Sequence, residues 1–181
     1  MKVISLVGIS KSGKTTTIEN IIKELKRRNY TVGTVKEIHF HDFKMDAEGT
    51  NTYRHKKAGA ELVTARGNFE TDVLFQEKLD LDKILSFYNQ DFVILEGVRE
   101  TNIPKILTAH DMAGLEERFD ESVVAISGRI SAEISQYKGL PAINSLTNIE
   151  DLVDLIEEKA LYTKESAELS SNIVLKINGK E

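Results

Sequence analysis

Residues 8–15, GISKSGKT, constrain this chain more than any other stretch, because they read G-x-x-x-x-G-K-[ST]. Two glycines let the backbone curl until successive N–H groups point inward at a phosphate chain. Lys14 then reaches the β- and γ-phosphates, and the Thr15 hydroxyl is placed for Mg²⁺. Such a loop belongs between a strand and a helix, since the helix N-terminus adds its positive end to the anion site. Both flanks are present. Residues 2–7 (KVISLV) are a short apolar, β-branched run, and residues 15–28 carry Ile18, Ile21, Ile22 and Leu25 at helical spacing. The predicted phosphate-contacting set is Gly8, Ser10, Lys11, Ser12, Gly13, Lys14, Thr15 and Thr16. Kinases, GTPases, ATPases and nucleotide switches share this loop, so it specifies a ligand class and leaves the reaction open.

The rest of the chain reads as an α/β domain. Parallel strands buried on both faces are expected at 2–7, 31–36, 91–96, 104–108 and 122–126, with a short strand at 140–143. The run DFVILE at 91–96 is the strongest of them, and Pro104 stands at a first strand position, where a missing donor is tolerated. Helix one joins strands one and two as a right-handed crossover. Residues 52–58 predict a short basic helix closed by Gly59, and residues 61–66 and 71–76 a hairpin around Gly67-Asn68. A helix capped by Asp80 or Asp82 would carry Leu81, Ile84, Leu85 and Tyr88 on one face, residues 131–138 a short helix, and Asn148 would cap a helix holding Ile149, Leu152, Val153, Leu155 and Ile156. The predicted fold is a P-loop NTPase-like three-layer sandwich: a mostly parallel twisted sheet, helices on both faces, and a small antiparallel β element. The nucleotide-binding domain is expected over residues 1–160, and residues 161–181 as a C-terminal extension. In that extension NIVLKI at 172–177 reads as a strand, and Asn178-Gly179 as a hairpin turn lacking its return strand, which suggests a trimmed tail.

Composition excludes several classes of function. A net charge of −5 over 181 residues argues against a broad nucleic-acid face. The absence of cysteine removes disulfides, iron–sulfur clusters and thiolate zinc sites, and fits a cytoplasmic location. The first strand flows straight into the glycine loop and is not a signal peptide. No apolar run approaches the length of a membrane span.

Phosphoryl chemistry needs an acid at the end of a neighbouring buried strand, and Glu96, between Leu95 and Gly97, supplies it. A metal-side role is favoured over an edge salt bridge; whether it binds the ion through water or orients an attacking water is open. Asp46 lies in the polar loop after strand two, either closing over the γ-phosphate or standing as a solvated acid. Arg54, Lys11 and Arg99 read first as surface charges, with phosphate contact as the alternative. His39 and His41 face one side of an extended segment. Two ligands make no metal site, so they are read as lining a substrate cleft. Ile9 stands where paired-lysine ATPases carry a second lysine, and no Asn-Lys-x-Asp guanine reader occurs; the nearest echo is Thr163-Lys164-Glu165-Ser166. The pattern alone thus leaves guanine and adenine open.

Four segments in order resemble the molybdopterin-guanine dinucleotide biosynthesis protein B family. They are GISKSGKTT at 8–16, Val35-Lys36 leading to HDFKMD at 41–46, GTNTYRHKKAGA at 49–60, and Leu95-Glu96-Gly97 followed by Ile103-Pro104-Lys105-Ile106. The resemblance covers residues 3–110 well and the remainder loosely. It implies a P-loop homodimer that binds GTP with Mg²⁺, hydrolyses it slowly, and assists the transfer of GMP onto molybdopterin beside a molybdenum-cofactor guanylyltransferase. Carried over by position, Gly13, Lys14 and Thr15 hold phosphate and metal, Glu96 is the acid after the hydrophobic strand, and Asp46 is the switch-loop acid. The implied catalytic set is then Lys14, Glu96 and Asp46, and the implied metal set Thr15, Glu96 and Asp46. The histidine loop departs from the family's Lys-His-x-His-His-Asp-Phe by one extra residue and by Glu37 at the first histidine; Asn51 and Thr52 replace an Asp-Ser pair. A small-molecule kinase and a non-catalytic nucleotide-switched delivery module are the competing readings.

Overall fold

A computed structural model describes residues 1–40, 43–100 and 102–163. The chain divides into two compact units, residues 1–37 with 88 onward, and residues 38–87. The expected strand at 172–177, with its turn, lies outside the described residues.

The first unit is built on parallel strands β1 (Lys2–Gly8), β2 (Val32–Lys36), β5 (Phe92–Glu96), β6 (Lys105–Thr108) and β7 (Val123–Ser127), in the order β2-β5-β1-β6-β7. The β1 strand is central, paired to β5 from Lys2↔Phe92 to Leu6↔Glu96 and to β6 from Ser5↔Lys105 to Gly8↔Thr108. Its interior is wholly apolar apart from Ser5, as a strand covered on both faces must be. Alternate residues feed two cores. Ile4, Leu6, Ile94 and Ile106 pack with Ile18, Ile21 and Leu25 of helix α1 (Lys14–Arg27) and with Leu152, Val153 and Ile156 of helix α5 (Ile149–Lys159). Val7, Leu107 and Ile126 pack with Leu115 of helix α4 (Met112–Arg118). Helices therefore cover both faces of the sheet. A short strand β10 (Leu161–Tyr162) pairs antiparallel with Lys2 and Val3, immediately past the boundary expected at residue 160.

The second unit holds helix α2 (Asn51–Lys57), strands β3 (Leu62–Arg66) and β4 (Thr71–Phe75), and helix α3 (Leu81–Leu85). The hairpin is antiparallel from Leu62↔Phe75 to Arg66↔Thr71. Thr50 caps α2, its hydroxyl accepting the Tyr53 N–H. Gly59 follows α2 at φ +104°, the left-handed exit that glycine tolerates.

The expected helix over 131–138 does not form. A 3₁₀ turn at Arg129–Ala132 is followed by strand β8 (Gln136–Tyr137), which pairs antiparallel with β9 (Leu140–Pro141). The cause is the Lys138-Gly139 turn, with φ of +48° and +79°. Two consecutive left-handed residues match the right-handed twist of a tight hairpin and terminate a helix. Helix α4 has no counterpart among the expected elements. Its signal was Asp111, whose Oδ1 accepts the Gly114 N–H at 2.8 Å, masked by brevity and an internal glycine. Tyr88 lies beyond α3 and donates its hydroxyl to the Thr34 carbonyl instead of extending that helix's face. No helix among the described residues is long and apolar enough to cross a membrane.

Candidate functional site

The glycine loop sits where β1 ends at Gly8 and α1 begins at Lys14. A Cβ on Gly8 would lie 2.2 Å from the Thr108 carbonyl oxygen, so only glycine permits the contact between β1 and β6 at this point. Gly13 precedes the helix at φ +93°, which turns the backbone into α1. Lys11 also takes a left-handed φ of +62°, a conformation that costs a side-chain-bearing residue about 1–3 kcal/mol and is found mostly at functional sites. The loop is pinned from beneath. Ser12 and Thr108 share a 2.8 Å hydroxyl–hydroxyl bond, and the Thr108 hydroxyl also donates to the Val7 carbonyl. The Ser12 side chain is thereby buried and turned down beneath the loop. Ser10, Lys11, Thr15 and Thr16 are at least partly exposed.

Lys14 folds back onto its own loop, donating to the Gly8 carbonyl at 3.2 Å. Its pKa is lowered, first by burial; Glu96 opposes the shift, while Lys36, Arg99 and Arg118 add to it. Those groups therefore lie within electrostatic reach of Lys14, and the excess of cations among them favours an anion. Arg99, read from sequence as a surface charge, is part of this set. Glu96 closes β5, in register with Leu6 on one side and Lys36 on the other, and Lys36 Nζ stands 3.4 Å from its carboxylate. Parallel pairing of β5 beside β1 thus brings Lys14 and Glu96 together.

Asp46 belongs to the second unit. Its Oδ1 accepts hydrogen bonds from the Thr50 and Thr52 hydroxyls at 2.7 and 2.9 Å, and its Oδ2 is buried without a partner among the described residues. Thr52, one of the departures from the family pattern, therefore fixes this acid. Arg54 and His39 are exposed, and His41 lies outside the described residues. No group of three or more metal-ligating side chains occurs among the described residues. Thr108 was missed from sequence because nothing local marks it; only the Gly8↔Thr108 register sets its hydroxyl under the loop.

A central parallel strand ending in a glycine loop, a following helix and an acid on the adjacent strand define the P-loop NTPase class. The profile of the molybdopterin guanine dinucleotide synthesis protein B (MobB) family matches residues 3–129. A putative molybdopterin-guanine dinucleotide biosynthesis adapter protein of Methanocaldococcus jannaschii is 36% identical over 168 residues, which cover 89% of this chain and 63% of that one. The adapter protein of Haemophilus influenzae is 30% identical over 83% of this chain and 86% of its own length. The crystal structure of Bacillus subtilis MobB superposes with a TM-score of 0.72 at 24% identity, over 90% of this chain and all of that one. The chain belongs to the MobB family.

Proposed function

We propose that this protein is a cytoplasmic GTP-binding adapter of molybdenum-cofactor biosynthesis, assisting the attachment of GMP to molybdopterin, with weak GTPase activity of its own. The observation that carries the reading is a glycine loop ending in Lys14 with Glu96 closing the strand beside it, in a chain of this family. The backbone N–H groups of residues 8–16 and the Lys14 ammonium bind the phosphates. The donor set of the first unit also fits Mg²⁺, a hard cation that takes oxygen ligands: the Thr15 hydroxyl and the Glu96 carboxylate would hold it. When bound, that ion would neutralise charge on the β- and γ-phosphates. Lys14 must leave the Gly8 carbonyl to meet a ligand, and Lys36, Arg99 and Arg118 hold the local potential positive as it does so. Partners in this reading are molybdopterin, a guanylyltransferase and a second copy of the chain. Leu62, Val73 and Phe75 of the β3–β4 hairpin are exposed, which supports self-association.

Calorimetric titration of GTP tests the site. Lys14→Ala should lower affinity at least about a hundredfold through loss of charge-assisted phosphate contacts. Unchanged affinity would overturn the assignment. Phosphorus NMR of the products separates release of free phosphate from transfer to an acceptor, which would make the protein a kinase.

A further inference from the structure

The loop pattern says nothing about the nucleobase, yet a second concavity adjoins it. A cleft of about 650 Å³ opens at the carboxyl end of β7, between the 3₁₀ turn and the segment leading into α5. That is within the size range of small-ligand sites and at the sheet end where α/β folds bind ligands. Both of its walls are anchored to the phosphate loop. From one wall, the Arg129 N–H donates to the Ser12 carbonyl at 3.0 Å. From the other, the Ser145 hydroxyl donates to Thr17 Oγ1 at 3.3 Å, and its carbonyl accepts from Asn20 Nδ2 at 3.1 Å, both on the first turns of α1. A nucleoside leaving phosphates bound at Thr15 and Thr16 meets these two walls.

The lining chemistry narrows the occupant. It contains Glu133 and Asp151 and no lysine, arginine or histidine, so it repels phosphate. Ile134 and Ile143 give it apolar surface for a flat ring. Asn148 occupies the N-cap position of α5, yet its side chain makes no cap bond. Its amide instead accepts the Thr147 hydroxyl at 2.7 Å and donates to Asp151 Oδ2 at 3.4 Å. The sequence expectation that Asn148 caps the helix is thus corrected in its side chain, which steadies Asp151 through Oδ2, while Oδ1 has no partner among the described residues. Asn144 is fixed likewise: its Oδ1 accepts the Leu146 N–H at 2.9 Å, and Nδ2 keeps no partner among the described residues.

We propose that this cleft holds the nucleobase, and that Asp151 is the guanine-specifying residue, with Asn144 offering its Nδ2 to the O6/N7 edge. The proposal rests on nucleotide binding at residues 8–15. A carboxylate only accepts hydrogen bonds. Guanine presents two adjacent donors, N1–H and the 2-amino group, whereas adenine presents one donor beside an acceptor. Asp151 therefore favours guanine and opposes adenine.

The test titrates the full chain, with Mg²⁺, against GTP, ITP, XTP, ATP and inorganic tripolyphosphate. Wild type should bind GTP at least about tenfold more tightly than ITP, which lacks the 2-amino group, and than ATP. Asp151→Asn, an exposed and nearly isosteric change, should erase the GTP-over-ITP preference, shift affinity toward XTP, whose 2-oxo group accepts from the new amide, and leave tripolyphosphate affinity unchanged. An equal GTP:ITP:XTP ratio in wild type and variant overturns the proposal while nucleotide binding stands. Wild-type binding of GTP no tighter than tripolyphosphate also overturns it. Failure to bind either ligand overturns the underlying site as well.

Discussion

Replacing Gly8 by alanine gives the sharpest test of how the sheet builds the loop. The added Cβ would sit 2.2 Å from the Thr108 carbonyl oxygen and 2.4 Å from its hydroxyl. An ordinary contact is 3.4 Å or more, so β1 and β6 must part by roughly 1 Å at their Gly8↔Thr108 pair. Thr108 has no room to yield, since it is fully buried and bonded to both Ser12 and Val7. Forced overpacking of this kind costs about 1–3 kcal/mol, and the backbone location of the clash places it at the upper end. A control separates clash from backbone strain. Gly139 has φ +79° and open space where a Cβ would stand, with nothing within 4 Å, so Gly139→Ala should cost only the left-handed penalty of about 1–2 kcal/mol. Urea unfolding followed by circular dichroism gives both values. Gly8→Ala should also weaken GTP binding, because parting the strands pulls Thr108 from Ser12. Adding Thr108→Ala should not rescue it, since the carbonyl remains. A Gly8→Ala protein within about 0.5 kcal/mol of wild type, well under the overpacking cost, or full rescue by Thr108→Ala, would refute the reasoning.

Two further perturbations address electrostatics. Glu24 is buried under Arg27 and Arg28, whose guanidinium hydrogen bonds hold its pKa down at about 2. A depressed carboxyl contributes stability above its unfolded pKa and loses it as pH falls through the folded value. Glu24→Gln should therefore cost about 2 kcal/mol at pH 7, and the gap to wild type should close between roughly pH 4.5 and 2 in urea titrations. A gap independent of pH would count against this. Lys105 is fully buried and paired with Asp120 at 2.8 Å. Asp120→Ala strands that cation and should cost about 3–5 kcal/mol, whereas Lys105→Met should be nearly neutral; equal losses in thermal unfolding would show that the pair acts by packing alone.

What could be read from the residues was whatever depends on near neighbours. The glycine spacing, the helical stripe of α1, the DFVILE strand, the Gly67-Asn68 hairpin and the acid at Glu96 are short-range patterns, and each appears in the fold. Where a helix and a hairpin competed over residues 131–138, two left-handed turn residues decided, and periodicity alone misread them. The rest depended on strand order. Nothing within a few residues of Glu96 says that β5 will lie beside β1, nothing near Thr108 places it beneath Gly8, and nothing in residues 129–151 announces a cleft tied to the phosphate loop. These are contacts between residues about 90 or more positions apart, created when burial of two apolar faces selects one pairing of parallel strands. Local spacing alone determined the phosphate ligand class, and tertiary structure decided which charges surround the loop and which side chains line the cleft beside it.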